Sequence, residues 1–570
     1  LLHFRNDTEV PYTYIEEMDF DTMARFAEHD VGLTGVNITA RPVRRYVYGA
    51  LGSHLLGYVG MPSEIDKEEA GRFNFYQPDT EGKAQIELAL DADLKGTAGA
   101  RILQRNAKGQ IDGEIERRAP LPGNNVQLTI DARVQYITEK ALRAVGRAAA
   151  VVIDPRNGDI LAMASVPSYD PNSFIPVISS AGWAELTGDA TDPLINRALS
   201  AYAPGSTYKI PVALAGLRAG LDERRLNCSG GVRFGDKVMA CWIASKNGAH
   251  GTLDLQSAIR VSCNAFFYQY GNAAGIDEIV AAGHMLGLGE KSGLPLSAEA
   301  SGILPGPEWM RVNRPRERWS SGQTANVSIG QGYVLASPLQ MAMLTATVAN
   351  GGTSYFPRLV DKVLAPDGSV IRQEPVKVRA NLLEQGLGAE QIEKVRRGMW
   401  DVVNRGGGTA PGARLAGYEV AGKTGTAQFW RGGLKDNHTW FIAFAPYDEP
   451  RYAVSVIVQG AQSGGGVAAP IAAKILSDVF KMEEGAPVKI ASLAPAKGSF
   501  QFVSSVDFGR AIPAALSDAP PEEFAVSEGM VDAAPPTVRP DADDEGTVKG
   551  KKPNIFQRIF GGNKKKEQKP

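Results

Sequence analysis

Five strand-like apolar runs sit at the two ends of one long stretch of this chain, and their placement limits the possible folds more than any other feature. Ala150-Val151-Val152-Ile153-Asp154 and Ile160-Leu161-Ala162-Met163-Ala164-Ser165 flank Pro155-Arg156-Asn157-Gly158, whose turn chemistry closes a hairpin. Three more runs appear only at about 417–428, 439–445 and 451–459, ahead of an apolar helix at about 468–481. A single sheet built from all five must join the early pair to the late three. The region between them then becomes an insertion, which reads as a helical lobe. Val126-Gln127-Leu128-Thr129-Ile130-Asp131 leads into a helical pattern from Val134 to Val145 just before the first strand.

The chain is too long for that sheet to be all of it. Its 570 residues exceed what one hydrophobic core usually supports, and its 43% hydrophobic content is ordinary for a folded protein. Residues 1–125 carry short alternating segments and turn punctuation, such as Val47-Tyr48-Gly49 and Gly96-Thr97-Ala98-Gly99, and read as an elongated mixed α/β module. Residues 126–484 hold the sheet. From 485 to 570 the composition turns to Ala, Pro and acid, with Asp541, Asp543, Asp544 and Glu545 closing the acidic stretch. Lys549, Lys551, Lys552, Arg558 and Lys564 to Lys566 then reverse the sign, so a disordered tail with a basic, solvated end is predicted. The formal net charge of −2 carries no nucleic-acid signal, and no apolar run is long enough to cross a bilayer.

Three short motifs carry chemistry: Ser206-Thr207-Tyr208-Lys209, Ser262-Cys263-Asn264 and Lys423-Thr424-Gly425-Thr426. A serine and a lysine three apart share one helix face, where a neutral amine can take the hydroxyl proton. Pro204-Gly205 reads as a turn that delivers Ser206 at a helix start, where unpaired N–H groups favour developing negative charge. Lys209 serves as a base only if burial and a second cation lower its pKa, and Lys423 is the obvious second cation. Pro211, five residues beyond the serine, is placed to kink that helix. Gly330-Gln331-Gly332-Tyr333 lacks the third glycine and the preceding strand of a nucleotide loop, so that reading is rejected.

All three cysteines, Cys228, Cys241 and Cys263, fall in one stretch with His250. Three thiolates and an imidazole make a complete tetrahedral zinc set, although the spacing is looser than in zinc fingers. A disulfide with one thiol left over is the rival reading. In a locally extended loop Cys263 would point away from the pocket while Ser262 and Asn264 point in.

The motif trio in this order is that of penicillin-binding proteins and class A β-lactamases. Arg44-Arg45-Tyr46, His54-Leu55-Leu56-Gly57-Tyr58-Val59-Gly60 and Gly82-Lys83-Ala84 with Glu87 resemble the non-catalytic pedestal of class B penicillin-binding proteins. Gln85 departs from that pattern, where a small residue is expected. Ala249-His250-Gly251 and Phe266-Phe267-Tyr268 are similar to the elongation-specific branch, penicillin-binding protein 2, some members of which bind zinc beside the active site. The resemblance implies a mixed α+β transpeptidase fold, a five-stranded antiparallel sheet flanked by helices with a helical lobe, plus the pedestal. It implies a peptidoglycan D,D-transpeptidase that crosslinks stem peptides ending in D-Ala-D-Ala and is acylated by β-lactams. Ser206 would be the nucleophile, Lys209 the base, Ser262 a proton relay and Asn264 the holder of the substrate amide. Lys423, Thr424, Gly425 and Thr426 would bind the substrate backbone and carboxylate, with an oxyanion hole at the N–H groups of Ser206 and Thr426. No catalytic cofactor is implied, and Cys228, Cys241, His250 and Cys263 would hold a structural zinc. Implied partners are a membrane glycosyltransferase of the SEDS family and other elongation-complex proteins. The implied location is the periplasm, anchored in the inner membrane by an amino-terminal helix this chain lacks. The division-specific paralogue is disfavoured by the Cys/His segment. A β-lactamase needs no pedestal, and a β-lactam sensor usually carries the domain alone.

Overall fold

A computed structural model of the protein describes residues 15, 18–29, 43–64, 71, 79–107, 111–431, 434–506 and 508. The five runs form one sheet. β1 (Ala148–Ile153) and β2 (Ile160–Val166) make the early hairpin, and β3 (Ala421–Arg431), β4 (Leu434–Ala445) and β5 (Tyr452–Gln459) follow late, in the spatial order β3-β4-β5-β1-β2. Every neighbouring pair is antiparallel. The join between the two ends is the β5–β1 ladder, where Val454 faces Val152 and Val456 faces Ala150. β1 is buried at every position and β5 at all but its last, so both faces of the sheet centre are covered. That is why these strands read as continuous apolar runs without alternation.

α1 (Ala132–Leu142) starts at Asp131, whose carboxylate accepts from the Arg133 N–H as an N-cap. The insertion supplies α2 (Lys209–Arg218), α3 (Leu255–Arg260), α4 (Asn264–Ala274), α5 (Pro338–Ala349) and α6 (Ala389–Asn404), and α7 (Ala469–Glu483) closes the domain. α5 is buried along its whole length and packs on β5, β1 and β4. The insertion is not purely helical. Leu226–Cys228 pairs with Gly251–Leu253, Gly231–Phe234 pairs with Lys237–Ala240, and Val360–Leu364 pairs with Asn125–Leu128. These strands are too short to show a period of two in the sequence.

The residues quoted for the pedestal meet one another and the sheet domain. Glu87 is ion-paired to Arg44 at 3.1 Å and accepts from the Tyr46 hydroxyl at 3.1 Å. Gly52 N–H donates to the buried Glu139 carboxylate at 2.6 Å, and the Asn196 amide donates to the His54 carbonyl at 2.8 Å. Gln85 sits at φ 51°, which explains the small residue expected there: the turn is left-handed, and this chain makes it with a full side chain.

Disorder does not begin at 485. Residues 485–506 are packed against both parts of the molecule: Leu493 bridges to Gly49, the Ala496 carbonyl accepts from Ser168 N–H at 3.0 Å, and Val503 bridges to Ala461. Side chains add to these bonds: Arg143 donates to the Ala494 carbonyl at 2.8 Å and Arg147 to the Ser499 carbonyl at 3.2 Å, and Ala496 is buried in the core, scattered contacts that leave no periodic signal in a Pro/Ala-rich sequence. The acidic stretch and basic end of the tail, from 509 onward, lie outside the described residues. Among the described residues no helix is long and apolar enough to cross a membrane.

Candidate active site

Ser206 lies in a single 3-10 turn, Gly205–Tyr208, that runs directly into α2. Of residues 204–210 it alone is not buried, so this turn presents one side chain outward. Two glycines allow the turn to pack tightly. Gly205 has φ 54° and lies against the Thr426 backbone, and its N–H donates to the Gly330 carbonyl at 3.0 Å. The Gly330-Gln331-Gly332 segment is thus a backbone support behind the serine. The concern that Pro211 would turn Lys209 away is not met: α2 runs without a break from Lys209 to Arg218, and Lys209 reaches Ser262 and Asn264. Pro211 is the third residue of α2, near the junction where the 3-10 turn passes into the α-helix.

Lys209 begins α2 and is fully buried. Its Nζ donates to the Ser262 carbonyl at 2.8 Å, to Ser262 Oγ at 3.2 Å and to Asn264 Oδ1 at 2.7 Å. Lys423, equally buried on β3, donates to the same Ser262 Oγ at 2.8 Å and to the Thr424 carbonyl at 3.0 Å. Ser262 Oγ therefore bridges two lysines. Burial brings Lys209 down to about 8, against a smaller upward pull from Cys263 and Cys241. Lys423 is held well below the ordinary lysine range by burial and by the charge of Lys209. Two ammonium groups sharing one hydroxyl in a dry site disfavour double protonation, and the bridge gives the remaining proton a path between them.

Ser262 and Asn264 owe their aim to the corner between α3 and α4. α3 ends at Val261, Ser262 takes a left-handed φ of 53°, and Cys263 caps α4 with its sulfur accepting from Phe266 N–H at 3.4 Å. Cys263 is buried with its sulfur toward Cys241, while Ser262 and Asn264 reach Lys209, but the corner is a left-handed residue and a helix cap, not the extended loop that the alternation assumed. β3 carries the third motif along a sheet edge against the Ser206 turn, with room only for glycine at 425: a Cβ there would stand 2.7 Å from the Pro204 carbonyl. Thr426 is exposed and Thr424 is nearly buried, its hydroxyl 2.7 Å from that of Thr409. Thr409 was not singled out in the sequence; its only local mark is the preceding Gly406-Gly407-Gly408 turn.

The four residues proposed as metal ligands converge from four local elements: the end of a short strand for Cys228, the entry to a 3-10 turn for Cys241, a loop for His250 and the α4 cap for Cys263. His250 Nδ1 is 3.6 Å from both Cys228 Sγ and Cys241 Sγ, and the sulfurs of Cys241 and Cys263 are 3.9 Å apart. All four ligand atoms lie within 4.8 Å of one another. A zinc tetrahedron with Zn–S about 2.3 Å and Zn–N about 2.0 Å has edges of about 3.8 and 3.5 Å, close to these three separations, so the donor set fits. A disulfide needs about 2.05 Å between sulfurs, and none of the three cysteines is in one.

A family model described as the penicillin binding protein transpeptidase domain matches residues 148–477, and one described as the penicillin-binding protein dimerisation domain matches residues 4–128. The peptidoglycan D,D-transpeptidase MrdA of Acinetobacter baumannii is 33% identical over 464 residues, covering 78% of this chain and 67% of that protein. MrdA of Haemophilus influenzae is 34% identical over 489 residues, covering 80% and 72%. Among solved structures, Pseudomonas aeruginosa PBP2 in complex with WCK 5153 superposes with a TM-score of 0.65 at 35% identity, covering 79% of this chain and 94% of that one. Helicobacter pylori PBP2 in complex with MreC superposes with a TM-score of 0.70 at 29% identity, covering 84% and 87%.

Proposed function

We propose that this chain, which belongs to the class B penicillin-binding proteins of the PBP2 (MrdA) peptidoglycan D,D-transpeptidase type, crosslinks stem peptides during cell-wall elongation through an acyl-Ser206 intermediate. The observation that carries the assignment of roles is the convergence of Lys209, Ser262, Asn264 and Lys423 at 2.7–3.2 Å, with Lys209 three residues beyond Ser206, the one unburied side chain of its turn.

Ser206 Oγ attacks the carbonyl of the penultimate D-Ala as neutral Lys209 accepts its proton. The carbonyl oxygen gathers negative charge between the N–H groups of Ser206 and Thr426. The peptide C–N bond then breaks, the proton passes to the leaving amine through Ser262, and D-Ala departs. An amine of a neighbouring stem peptide attacks the ester, gives up its proton along the same route and releases Ser206. Asn264 holds the substrate amide, while Lys423, Thr424 and Thr426 receive the terminal carboxylate, with Gly425 keeping the strand close. A β-lactam acylates Ser206 in the same way, but its leaving group stays tethered and blocks the second attack. No catalytic cofactor takes part.

Residues 1–125 serve as the pedestal and 126–484 as the transpeptidase domain, extended by the packed strap at 485–506. Cys228, Cys241, His250 and Cys263 would hold a zinc ion that, when bound, supplies a fixed cross-link behind the Ser262–Asn264 corner. We place the enzyme in the periplasm at the inner membrane, working with a SEDS-family glycosyltransferase and other elongation-complex proteins. That placement draws support from the Helicobacter PBP2 solved with MreC and from a similar chain in a peptidoglycan synthase complex described as coordinating polymerization and crosslinking. Incubation with uncrosslinked peptidoglycan strands tests the reaction: D-Ala release with formation of crosslinked dimers is expected. Dimers still formed by Ser206→Ala would defeat the proposal.

A further inference from the structure

Ser262 carries two catalytic tasks from an unfavourable backbone conformation. Its φ of 53° belongs to the left-handed region, which non-glycine residues avoid. The helix end explains how it gets there: Ser262 N–H donates to the Ile259 carbonyl at 3.1 Å and Cys263 N–H to the Ala258 carbonyl at 3.0 Å, closing α3 with a left-handed cap. Glycine or asparagine usually fills that position. The turn aims the Ser262 carbonyl at Lys209 and sets Oγ between the lysines, so a peptide flip here would undo both contacts.

One side chain outside the three motifs grips this turn. Trp242 Nε1 lies 3.1 Å from the Val261 carbonyl and 3.1 Å from the Ser262 carbonyl. The Ser262 oxygen therefore takes one bond from Lys209 on the pocket side and one from the indole on the other. Trp242 follows Cys241 directly, its ring lies 5.3 Å from that of His250, and it is 38% exposed. A ring so exposed contributes little to a core, whereas its N–H reaches the two carbonyls that the end of α3 leaves without helical partners.

We propose that Trp242 is a positioning residue for acylation: its indole N–H pins the Ser262 carbonyl and thereby fixes the hydroxyl shared by Lys209 and Lys423. This inference rests on the acyl-Ser206 reading. It predicts an effect on the chemical step, since Trp242 acts through Ser262 and not on the substrate.

The test uses saturation kinetics of acylation by a fluorescent penicillin, which separates the dissociation constant of the initial complex from the acylation rate constant. Two variants are compared with wild type: Trp242→Phe, and a chain carrying β-(3-benzothienyl)alanine at 242, which keeps the bicyclic shape and lacks the N–H. Losing one net hydrogen bond of this kind should slow acylation about 3- to 10-fold in both. The dissociation constant should stay within about twofold, because no substrate contact is lost. A benzothienyl variant that acylates at the wild-type rate would overturn the proposal, and so would a fall confined to Trp242→Phe, since ring packing would then be the cause. Variants in which only the dissociation constant rises would also overturn it. Wild type that fails to acylate would instead sink the transpeptidase reading on which the proposal stands.

Discussion

Gly330→Ala should displace the nucleophile without removing any catalytic side chain. A Cβ at 330 would stand 2.0 Å from the Gly205 carbonyl oxygen, 2.7 Å from its carbon and 2.8 Å from its nitrogen. All three are backbone atoms, so no rotamer change relieves the contact. Ordinary non-bonded separations begin near 3 Å, and the Gly205 turn must shift by about 1 Å. Gly330 also sits at φ 72°, where alanine costs about 1 to 2 kcal/mol. The shift further weakens the bond from Gly205 N–H to the Gly330 carbonyl, worth about 1 kcal/mol. A loss of about 2 to 3 kcal/mol of stability follows from these two terms. The kinetic effect is larger, because Ser206 is the next residue in the turn and a misplacement of about 1 Å can cost about 100-fold. Gly332→Ala separates strain from collision: φ is 78°, but the nearest atom to its added Cβ is Asn326 Cβ at 3.6 Å. Second-order acylation by a fluorescent penicillin should fall about 100-fold in Gly330→Ala and no more than about threefold in Gly332→Ala, with both melting a few degrees lower. Equal rates for the two variants, or a Gly330→Ala rate within threefold of wild type, would refute the support role of this segment.

Acylation should rise with pH, pass half its maximum near 8, the value to which burial brings Lys209, and level off above about 9, because the amine accepts a proton only when neutral and that fraction falls about tenfold per unit below its pKa. A rate still climbing at pH 10 would return Lys209 to ordinary lysine basicity. The purified protein should carry about one zinc per chain, with its three thiols shielded from a thiol reagent until a chelator is added and its melting temperature lowered by that treatment. Absence of metal, together with a peptide in which Cys241 is crosslinked to Cys263 in a non-reducing digest, would assign the cluster to a disulfide instead.

The sheet was legible because β1 and β5 are covered on both faces and so appear as unbroken apolar runs, which a sequence displays plainly. The candidate site was legible because three motifs keep their spacing in the chain, and the fold brings Lys209, Ser262, Asn264 and Lys423 together. What escaped detection depends on contacts that only the fold brings together. The strap at 485–506 is held where Leu493 bonds Tyr48 and Ala50, Ala496 bonds Ser168 and Val503 bonds Gly460 and Gln462, and nothing in its composition distinguishes those partners from solvent. Pro211 drew suspicion because the start of α2 cannot be read to within one turn from sequence, and three residues decide whether a proline there is harmful. Trp242 has no motif to mark it. Its importance is visible only once the α3–α4 corner brings the Ser262 carbonyl within reach of its N–H.

The most direct measurement is the intact mass of the protein after incubation with penicillin, followed by peptide mapping of the adduct. One penicilloyl group per chain, stable over the course of the digest and located on Ser206, is the expected result, and Ser206→Ala should show none. An adduct that persists in Ser206→Ala, or that hydrolyses within seconds as in a β-lactamase, would contradict the acyl-Ser206 transpeptidase account.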